Sequence, residues 1–276
     1  MLDFVVKLWT FVKYFYKSES EGIYLSIQNN LTKQNFKAMK KITLVLGLFL
    51  TTFLLKAQTA DEIVGKYLQT IGGVDKWKKL ESMRQIGYVV VQGMNIPFTA
   101  TQMRPNLMRQ EGDFQGQKFI DAFDGTVSWQ SSPWATMNKP TKKTEEETAE
   151  AAKENFEDDF IDYQTKGHAV ELDGTEEIEG TKCFKLKMKR KVGDEKIYFI
   201  DTENYVPVMV RSFAAAGPTK GMAAETFLSD YKEVDGLMVP HTIEQKMDGQ
   251  TAMVIKTEKV ELNPQIDKNI FSLPKD

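Results

Sequence analysis

The sequence predicts a mainly β protein, one large and highly curved antiparallel sheet that forms an incomplete barrel with helices covering its concave face. From Ile86 onward the chain consists of short runs of strand length, separated by turn dipeptides such as Asp124-Gly125 and Asp248-Gly249. Residues 182–189, KCFKLKMK, alternate apolar and basic side chains, which is typical of a half-buried antiparallel strand. About ten strands joined by hairpin turns predict a sheet that curves.

Three stretches are predicted to be helical instead. Thr59 and Glu62 have the spacing of a capping box, and the helix that follows is expected to stop at Gly72-Gly73. A short second helix is expected over residues 75–80. A second capping box begins at Thr144, in a segment rich in helix formers, and predicts a helix over 144–157 inserted between two groups of strands.

The inner face of such a sheet is larger than two or three short helices can cover, so a partly unfilled apolar groove is expected. Methionine supports this interpretation, because eleven of the thirteen methionines follow Ala57 and most fall in or beside predicted strands. Proteins that accept varied apolar ligands use methionine heavily, since its side chain is flexible and polarisable. Ordinary core filling explains the same pattern, and both interpretations stay open.

Residues 39–57 have the form of a secretory signal peptide. Lys40 and Lys41 precede an apolar run of 14 residues, and Ala57-Gln58 offers a cleavage site. This run is shorter than the roughly 20 apolar residues that span a bilayer, although an uncleaved anchor is the alternative. We expect residues 1–38 to be a mis-assigned N-terminal extension and residues 58–276 to be one domain, exported to the periplasm, soluble and monomeric.

Charge and cysteine content limit the classes of partner that the protein is expected to bind. The first 57 residues contain 8 of the 36 basic and 3 of the 39 acidic residues, so the remainder has 28 against 36 and a formal charge of −8. This balance argues against nucleic acid and against an anionic membrane surface as partners. Cys183 is the single cysteine, so neither a disulfide nor a lipid anchor is predicted, and it is expected to be a small buried apolar residue.

The chain has no motif that indicates catalysis or metal binding, and neither a cofactor nor a metal is predicted. His168 and His241 belong to no metal-ligand pattern and are interpreted as hydrogen-bonded structural residues. Gly217–Gly221 lacks the spacing of a phosphate-binding loop. Asp158, Asp159 and Asp162 are interpreted as a solvated helix end. The chain is therefore predicted not to be an enzyme.

Four motifs, taken in order, resemble those of the LolA-like periplasmic carriers and related outer-membrane lipoprotein-sorting proteins. They are QMRPNLMRQE at 102–111, Phe123-Asp124-Gly125 with Trp129, YKEVDGLMVPHTIE at 231–244, and VELNPQIDKNIFSLP at 260–274. The second half looks more like the broad group of relatives than like the dedicated carrier. The resemblance implies a half-barrel with a helical lid over a hydrophobic cavity, which binds acyl chains and performs no chemistry.

The main hypothesis is a periplasmic carrier or chaperone for lipoproteins or other amphiphiles, served by membrane-bound donor and acceptor proteins. The alternative is an envelope sensor or assembly module that holds a protein partner on the same face. Arg104, matched by position, is a candidate for tying the lid or contacting a headgroup. The residues predicted to line the cavity are Val89, Val91, Phe98, Met103, Leu107, Phe119, Trp129, Phe184, Leu186, Met188, Val208 and Val210.

Overall fold

All thirteen strands of the computed structural model, which describes residues 58–214 and 221–274, belong to one open antiparallel sheet. Their order across the sheet is β6-β5-β4-β3-β2-β1-β13-β12-β11-β10-β9-β8-β7, so the chain folds outward from both sides of the β1–β13 pair. The strands are β1 (Ser82–Val91), β2 (Met94–Met103), β3 (Leu107–Phe114), β4 (Gln117–Phe123), β5 (Ser128–Ser131), β6 (Thr141–Lys142), β7 (Ala169–Ile178), β8 (Thr181–Lys189), β9 (Glu195–Asp201), β10 (Pro207–Phe213), β11 (Ala223–Val234), β12 (Leu237–Met247) and β13 (Gln250–Leu262).

The helices are α1 (Ala60–Thr70), α2 (Val74–Lys78) and α3 (Glu145–Ala151), with a 3₁₀ helix at Lys268–Phe271. Both predicted capping boxes are present, since the hydroxyls of Thr59 and Thr144 each accept a hydrogen bond from the backbone of the glutamate three residues later. The helix predicted over 144–157 ends at Ala151. The sequence analysis also missed the short edge strand β6, the long edge strand β7 and the 3₁₀ helix.

Strand alternation divides the apolar residues between two faces of the sheet. Leu186 and Met188 on β8 are fully buried against α1, and we call their side the helix face. Cys183 and Phe199 point the other way and are also fully buried, in a second cluster on the opposite face. Burial raises the pKa of the Cys183 thiol to about 11, and the prediction of a small buried apolar residue is confirmed by its position in this cluster.

Long charged side chains cover the second cluster. The Arg211 guanidinium lies 5.2 Å from the Phe199 ring centroid, and the Lys246 ammonium lies 4.0 Å from that of Phe227. Arg211 also pairs with Glu225 at 2.8 Å. The aliphatic stems of such residues cover apolar surface while their charges stay in water. The second cluster is thereby covered without a helix, whereas α1 packs on the helix face.

The predicted signal segment at 39–57, the predicted extension at 1–38 and the Gly217–Gly221 loop up to residue 220 lie outside the described residues. Within the part of the chain that the structure describes, no helix has the length and apolar character needed to cross a bilayer.

Candidate functional site on the helix face

One half of the helix face, on β7–β10, is filled by the protein itself. Ile63 and Tyr67 of α1 pack with Phe160 against Leu186 and Ile200, all of them buried. Tyr67 and Phe160 meet edge to face, with ring centroids 5.5 Å apart. We call this region, β7–β10 under α1, the covered half.

A segment without regular structure, residues 154–163, holds α1 in place, and we call it the strap. The Tyr67 hydroxyl donates a hydrogen bond of 2.6 Å to the Asp158 carboxylate, and the Tyr163 hydroxyl donates to Asp61 at the start of α1. Burial raises the pKa of Asp158, although the hydrogen bonds from Tyr67 and the Phe160 N–H oppose that rise. Burial and the bond to Asp61 raise the pKa of Tyr163 to about 12.

Asp159 ties the strap to the sheet. Its carboxylate accepts hydrogen bonds from the Tyr198 hydroxyl at 2.8 Å and from the Lys196 ammonium at 3.0 Å. Burial alone favours the protonated form, but Lys196 and these hydrogen bonds outweigh it and lower the pKa of Asp159. The interpretation of a solvated helix end is therefore wrong for Asp158 and Asp159, because α3 stops earlier and the strap turns both carboxylates inward. Asp162 is exposed and pairs with Lys78 at 2.5 Å.

The other half of the helix face carries a continuous row of apolar side chains across five neighbouring strands. Pairing register aligns Leu228 with Ile243, Ile243 with Ile255, Ile255 with Val89, and Val89 with Ile96. Each is only half-buried, and none belongs to a buried cluster within residues 58–214 and 221–274. We call these five residues the apolar row.

Two phenylalanines extend the apolar row toward the β6 edge of the sheet. Phe98 pairs with Gly112 across β2 and β3, and Gly112 pairs with Phe119 across β3 and β4. A Cβ atom on Gly112 would lie 2.3 Å from Cζ of Phe119, so the ring crosses the space that this glycine leaves. The row and these phenylalanines form what we call the open half.

A second groove of about 270 Å³ lies on the same face beside the strap. Its apolar lining comes from Leu107, Met108, Phe123 and Phe156. The strap thus forms a wall next to the open half as well as a clamp over the covered half.

Two buried polar groups lie on the central strands β12 and β13. The Thr257 hydroxyl is buried and has no hydrogen-bond partner among the described residues. His241 is buried nearby on β12, with Nδ1 3.0 Å from the Val239 carbonyl oxygen. His168 accepts a hydrogen bond from the Lys191 N–H at its Nδ1. Both histidines thus make the structural hydrogen bonds expected of them, and no group of His, Cys, Asp or Glu in the described chain could hold a metal.

The structure separates the twelve residues predicted to line a cavity. Val89, Val91, Phe98 and Phe119 lie in the open half, and Phe184, Leu186, Met188 and Val210 lie in the covered half. The remaining four, Met103, Leu107, Trp129 and Val208, lie elsewhere. Strand register and packing place Trp129 and Val208 on the opposite face. Their part in ligand binding stays a prediction.

Trp129 lies on the opposite face and is fully buried. Its indole N–H donates to the Phe271 carbonyl at 2.7 Å, and Arg109 stacks 5.8 Å from its ring centroid. Val208 packs in the cluster of the opposite face, beside a register shift in β10. Met103 and Leu107 pair at the end of the β2–β3 hairpin, where Leu107 lines the groove beside the strap.

Arg104 joins three elements at one end of the sheet. Its guanidinium donates to the carbonyls of Trp77 and Leu80, at the end of α2, at 2.9 and 2.8 Å. The same group pairs with Glu157 of the strap at 3.2 Å and lies 5.4 Å from the Phe156 ring centroid. It thereby satisfies carbonyls that a helix end leaves without partners. A headgroup contact by Arg104 stays a prediction.

Sequence analysis missed four of the five residues of the apolar row: Ile96, Leu228, Ile243 and Ile255. Leu228 and Ile255 directly follow other apolar residues, whereas Ile96 and Ile243 do not, and exposed apolar residues of both kinds are common on a sheet surface. They become a site because register aligns them across strands that are far apart in the chain. The alternation of each strand was visible, but the pairing of β1 with β13 was not.

Comparison with known proteins adds evidence on the fold. Residues 141–275, a little under half of the chain, match a family model described as "Uncharacterized protein". No curated protein matches the chain in sequence. Solved structures with similar folds include a DUF1329 family protein from Desulfovibrio piger, with a TM-score of 0.53 and 11% identity over 78% of this chain and 98% of that one.

Two further structures are similar over comparable lengths. A putative outer membrane lipoprotein-sorting protein domain from Vibrio parahaemolyticus has a TM-score of 0.49 and 11% identity, covering 76% of this chain and 94% of that one. A LolA superfamily protein from Nitrosomonas europaea has a TM-score of 0.48 and 13% identity, covering 78% and 98%. At such identities the likeness concerns the fold alone. The predicted fold class, an open and curved antiparallel sheet with helices on one face, is confirmed.

Proposed function

We propose that the protein is a carrier or chaperone that binds acyl chains of lipoproteins or other amphiphiles on the open half of the helix face. The observation that carries the proposal is the apolar row, five aligned and half-buried side chains that no helix of the described chain covers. Monomeric proteins seldom leave a contiguous apolar surface of this kind without a partner for it.

The physical basis is burial without chemistry. Each CH₂ group of a ligand chain gains about 0.8 kcal/mol when it leaves water for an apolar surface. Because the apolar row is already half-buried and lies on paired strands, binding requires little ordering of the protein. An open groove also lets the ligand leave, which a carrier requires.

We further propose that the protein works in the periplasm. The basis is the signal-like segment at 39–57, with removal between Ala57 and Gln58, and it implies that residues 1–38 are absent from the exported form. Donor and acceptor proteins in the two membranes would load and unload the carrier. N-terminal sequencing of the protein recovered from the periplasm tests this proposal.

A matched pair of substitutions tests the binding site. Val89 and Val90 are neighbours on β1, both are half-buried, and alternation places them on opposite faces. We expect Val89→Ser to weaken binding of a fluorescent fatty-acyl probe by about tenfold, and Val90→Ser to leave it unchanged. Equal effects of the two substitutions would place binding elsewhere.

Native mass spectrometry of the protein purified without detergent, combined with organic extraction, tests the class of ligand. A co-purifying acylated molecule supports the carrier. An unliganded mass with no uptake of the probe contradicts it. In that case, a stable crosslinked complex with one protein would favour the sensor or assembly module.

A further inference from the structure

The largest exposure of apolar side chains in the described chain is at the β5–β6 connection, residues 132–140, which we call the tip loop. Trp134 is 65% exposed and Met137 is 80% exposed. Tryptophan and methionine rarely stand this far into solvent in a monomeric protein unless they meet another surface. The loop lies at one edge of the sheet, because β6 is the last strand on that side.

The tip loop is built to hold these side chains outward. Ser132 is buried at its base, and its carbonyl accepts hydrogen bonds from the backbone N–H groups of Thr136 and Asn138, at 3.1 and 3.0 Å. The Ser132 hydroxyl accepts from the Ala135 N–H, and the Thr136 hydroxyl accepts from the Ser132 N–H. Met137 has φ of 51°, a conformation that is unfavourable for a side chain of its size. These hydrogen bonds order the loop and leave Trp134 and Met137 exposed.

The exposed loop is continuous with the open half. The Trp134 ring lies 5.6 Å from the ring of Phe119, centroid to centroid, at an angle of 49°. Phe119 in turn covers Gly112 beside Phe98, in the open half. An aromatic contact therefore links the exposed tip loop to Phe119 of the open half, and strand register places Phe98 beside it.

The charge around the tip loop differs from that of the whole chain. Residues 125–143 contain no acidic side chain and three lysines, of which Lys143 pairs with Asp121. Lys139 and Lys142 are exposed, and so is Lys118 on the neighbouring strand β4. Acidic residues begin again at Glu145, the first residue of α3. Lys118 lies opposite Asp113 in the register of β3 and β4, so the short basic patch beside the exposed tryptophan consists of Lys139 and Lys142, on a chain whose net charge is negative.

We propose that the tip loop docks the protein on an anionic lipid bilayer, with Trp134 and Met137 inserted at the interface and the lysines facing the headgroups. Tryptophan prefers the membrane–water interface, and basic residues near it add attraction to anionic lipids. This inference deepens the proposed function, because docking here would set the open half beside the lipids that it binds. The proposal differs from the expectation drawn from net charge, because local charge decides a contact of this size.

Vesicle binding by the protein purified from cells tests the proposal. We expect co-sedimentation with vesicles of phosphatidylethanolamine and phosphatidylglycerol at low salt, and weaker binding to phosphatidylcholine vesicles or at high salt. Trp134→Ser and Met137→Ser should each weaken binding about tenfold, whereas Trp134→Phe should retain most of it. The control is Val192→Ser, at a residue that is 52% exposed in the β8–β9 turn.

Fluorescence locates the contact. Trp129 is fully buried and Trp77 is partly buried, so the fluorescence lost in Trp134→Phe comes from the exposed ring. That difference signal should shift to the blue with vesicles and be quenched by brominated lipids. Wild-type binding by Trp134→Ser, or equal losses in Trp134→Ser and Val192→Ser, would falsify the proposal.

The vesicle assay and the acyl-probe assay test two proposals that can fail independently of each other. Uptake of the soluble probe without vesicle binding leaves the carrier standing and removes the docking loop. Vesicle binding that depends on Trp134, without probe uptake, keeps the docking loop and removes the carrier.

Discussion

The covered half and the open half occupy one face of one sheet, yet the protein fills the first and leaves the second exposed. In the covered half, Leu186 and Met188 are fully shielded by α1 and the strap. In the open half, Val89 and Ile255 are equally well aligned by register but remain half-buried. The strands alternate in the same way in both halves. What separates the halves is a cover contributed by distant parts of the chain.

The cover is held by polar contacts as well as by packing. Tyr67 donates to Asp158 and Tyr163 donates to Asp61, so helix and strap each give a hydroxyl to a carboxylate of the other. No such pairs lie over the apolar row among the described residues. The binding surface is thus the part of the helix face that the helices do not cover. Stability and ligand binding are therefore expected to depend on different residues.

The largest expected difference between the halves is in stability. Leu186→Ala removes a fully buried side chain under α1 and should lower the free energy of unfolding by about 3 kcal/mol. Val89→Ala removes two methyl groups that are still partly in water and should cost no more than about 1 kcal/mol. Urea unfolding of both variants measures the two values. Similar losses would mean that the open half is closed in solution.

The ionic anchor of the strap gives the next largest effect. Asp159→Asn removes one of the two carboxylates that lie 3.0 Å from the partly buried Lys196 ammonium, the other being that of Glu154, and should cost about 2 kcal/mol at pH 7. Because the folded-state pKa of Asp159 lies below its usual 3.8, the charged form stabilises the fold above that pH. This stabilisation is lost as the pH falls through the usual pKa toward the folded one. The deficit of Asp159→Asn relative to wild type should therefore shrink below about pH 4.

Asp162→Asn is the control for this measurement. Asp162 and its partner Lys78 both have side chains more than 40% exposed, so removing the charge should leave the free energy of unfolding nearly unchanged. Asp158 acts in the opposite sense, because its folded-state pKa is raised. A constant deficit for Asp159→Asn from pH 7 to pH 3 would contradict the assignment of Asp159 as the anchor.

The sequence was sufficient for most of the elements but not for their partners. The capping boxes at Thr59 and Thr144 depend on contacts three residues apart, and both predicted helices begin there. The inward set of β8, Phe184, Leu186 and Met188, follows from alternation alone and is correct. Trp129 could not be placed, since its position depends on the pairing of β4 with β5 and on a carbonyl 142 residues away.

The same limit applies to the site. Asp158 and Asp159 follow a helix of acidic residues and have the composition of a solvated helix end. Their hydrogen bonds reach Tyr67 and Tyr198, which are 91 and 39 residues distant. Contacts at such separations depend on the register of the whole sheet, which local patterns do not contain. The sequence led to the expectation of an unfilled apolar groove, but it identified only some of the residues of the open half.

The smallest expected effect concerns the two capping boxes. One begins a helix that covers the sheet, and the other begins a helix that does not. Thr59 and Thr144 form matching capping boxes, but α1 buries Ile63, Val64 and Tyr67, whereas α3 buries no residue. Loss of a cap costs about 1 kcal/mol when the helix must form for the protein to fold. Thr59→Ala should lower the free energy of unfolding by that amount, because fraying α1 uncovers the covered half.

Thr144→Ala should cost less than about 0.5 kcal/mol in the same urea titration, because α3 can fray without exposing buried apolar surface.

The comparison of the two variants also separates the two roles of the helix face, stability and ligand binding. Thr59→Ala loosens the cover, so it should add slow uptake of a fatty-acyl probe to the fast uptake by the open half, whereas Thr144→Ala should not. Equal stability losses for the two variants would mean that α3 supports the fold as much as α1, and that its exposed position in the structure understates its contacts.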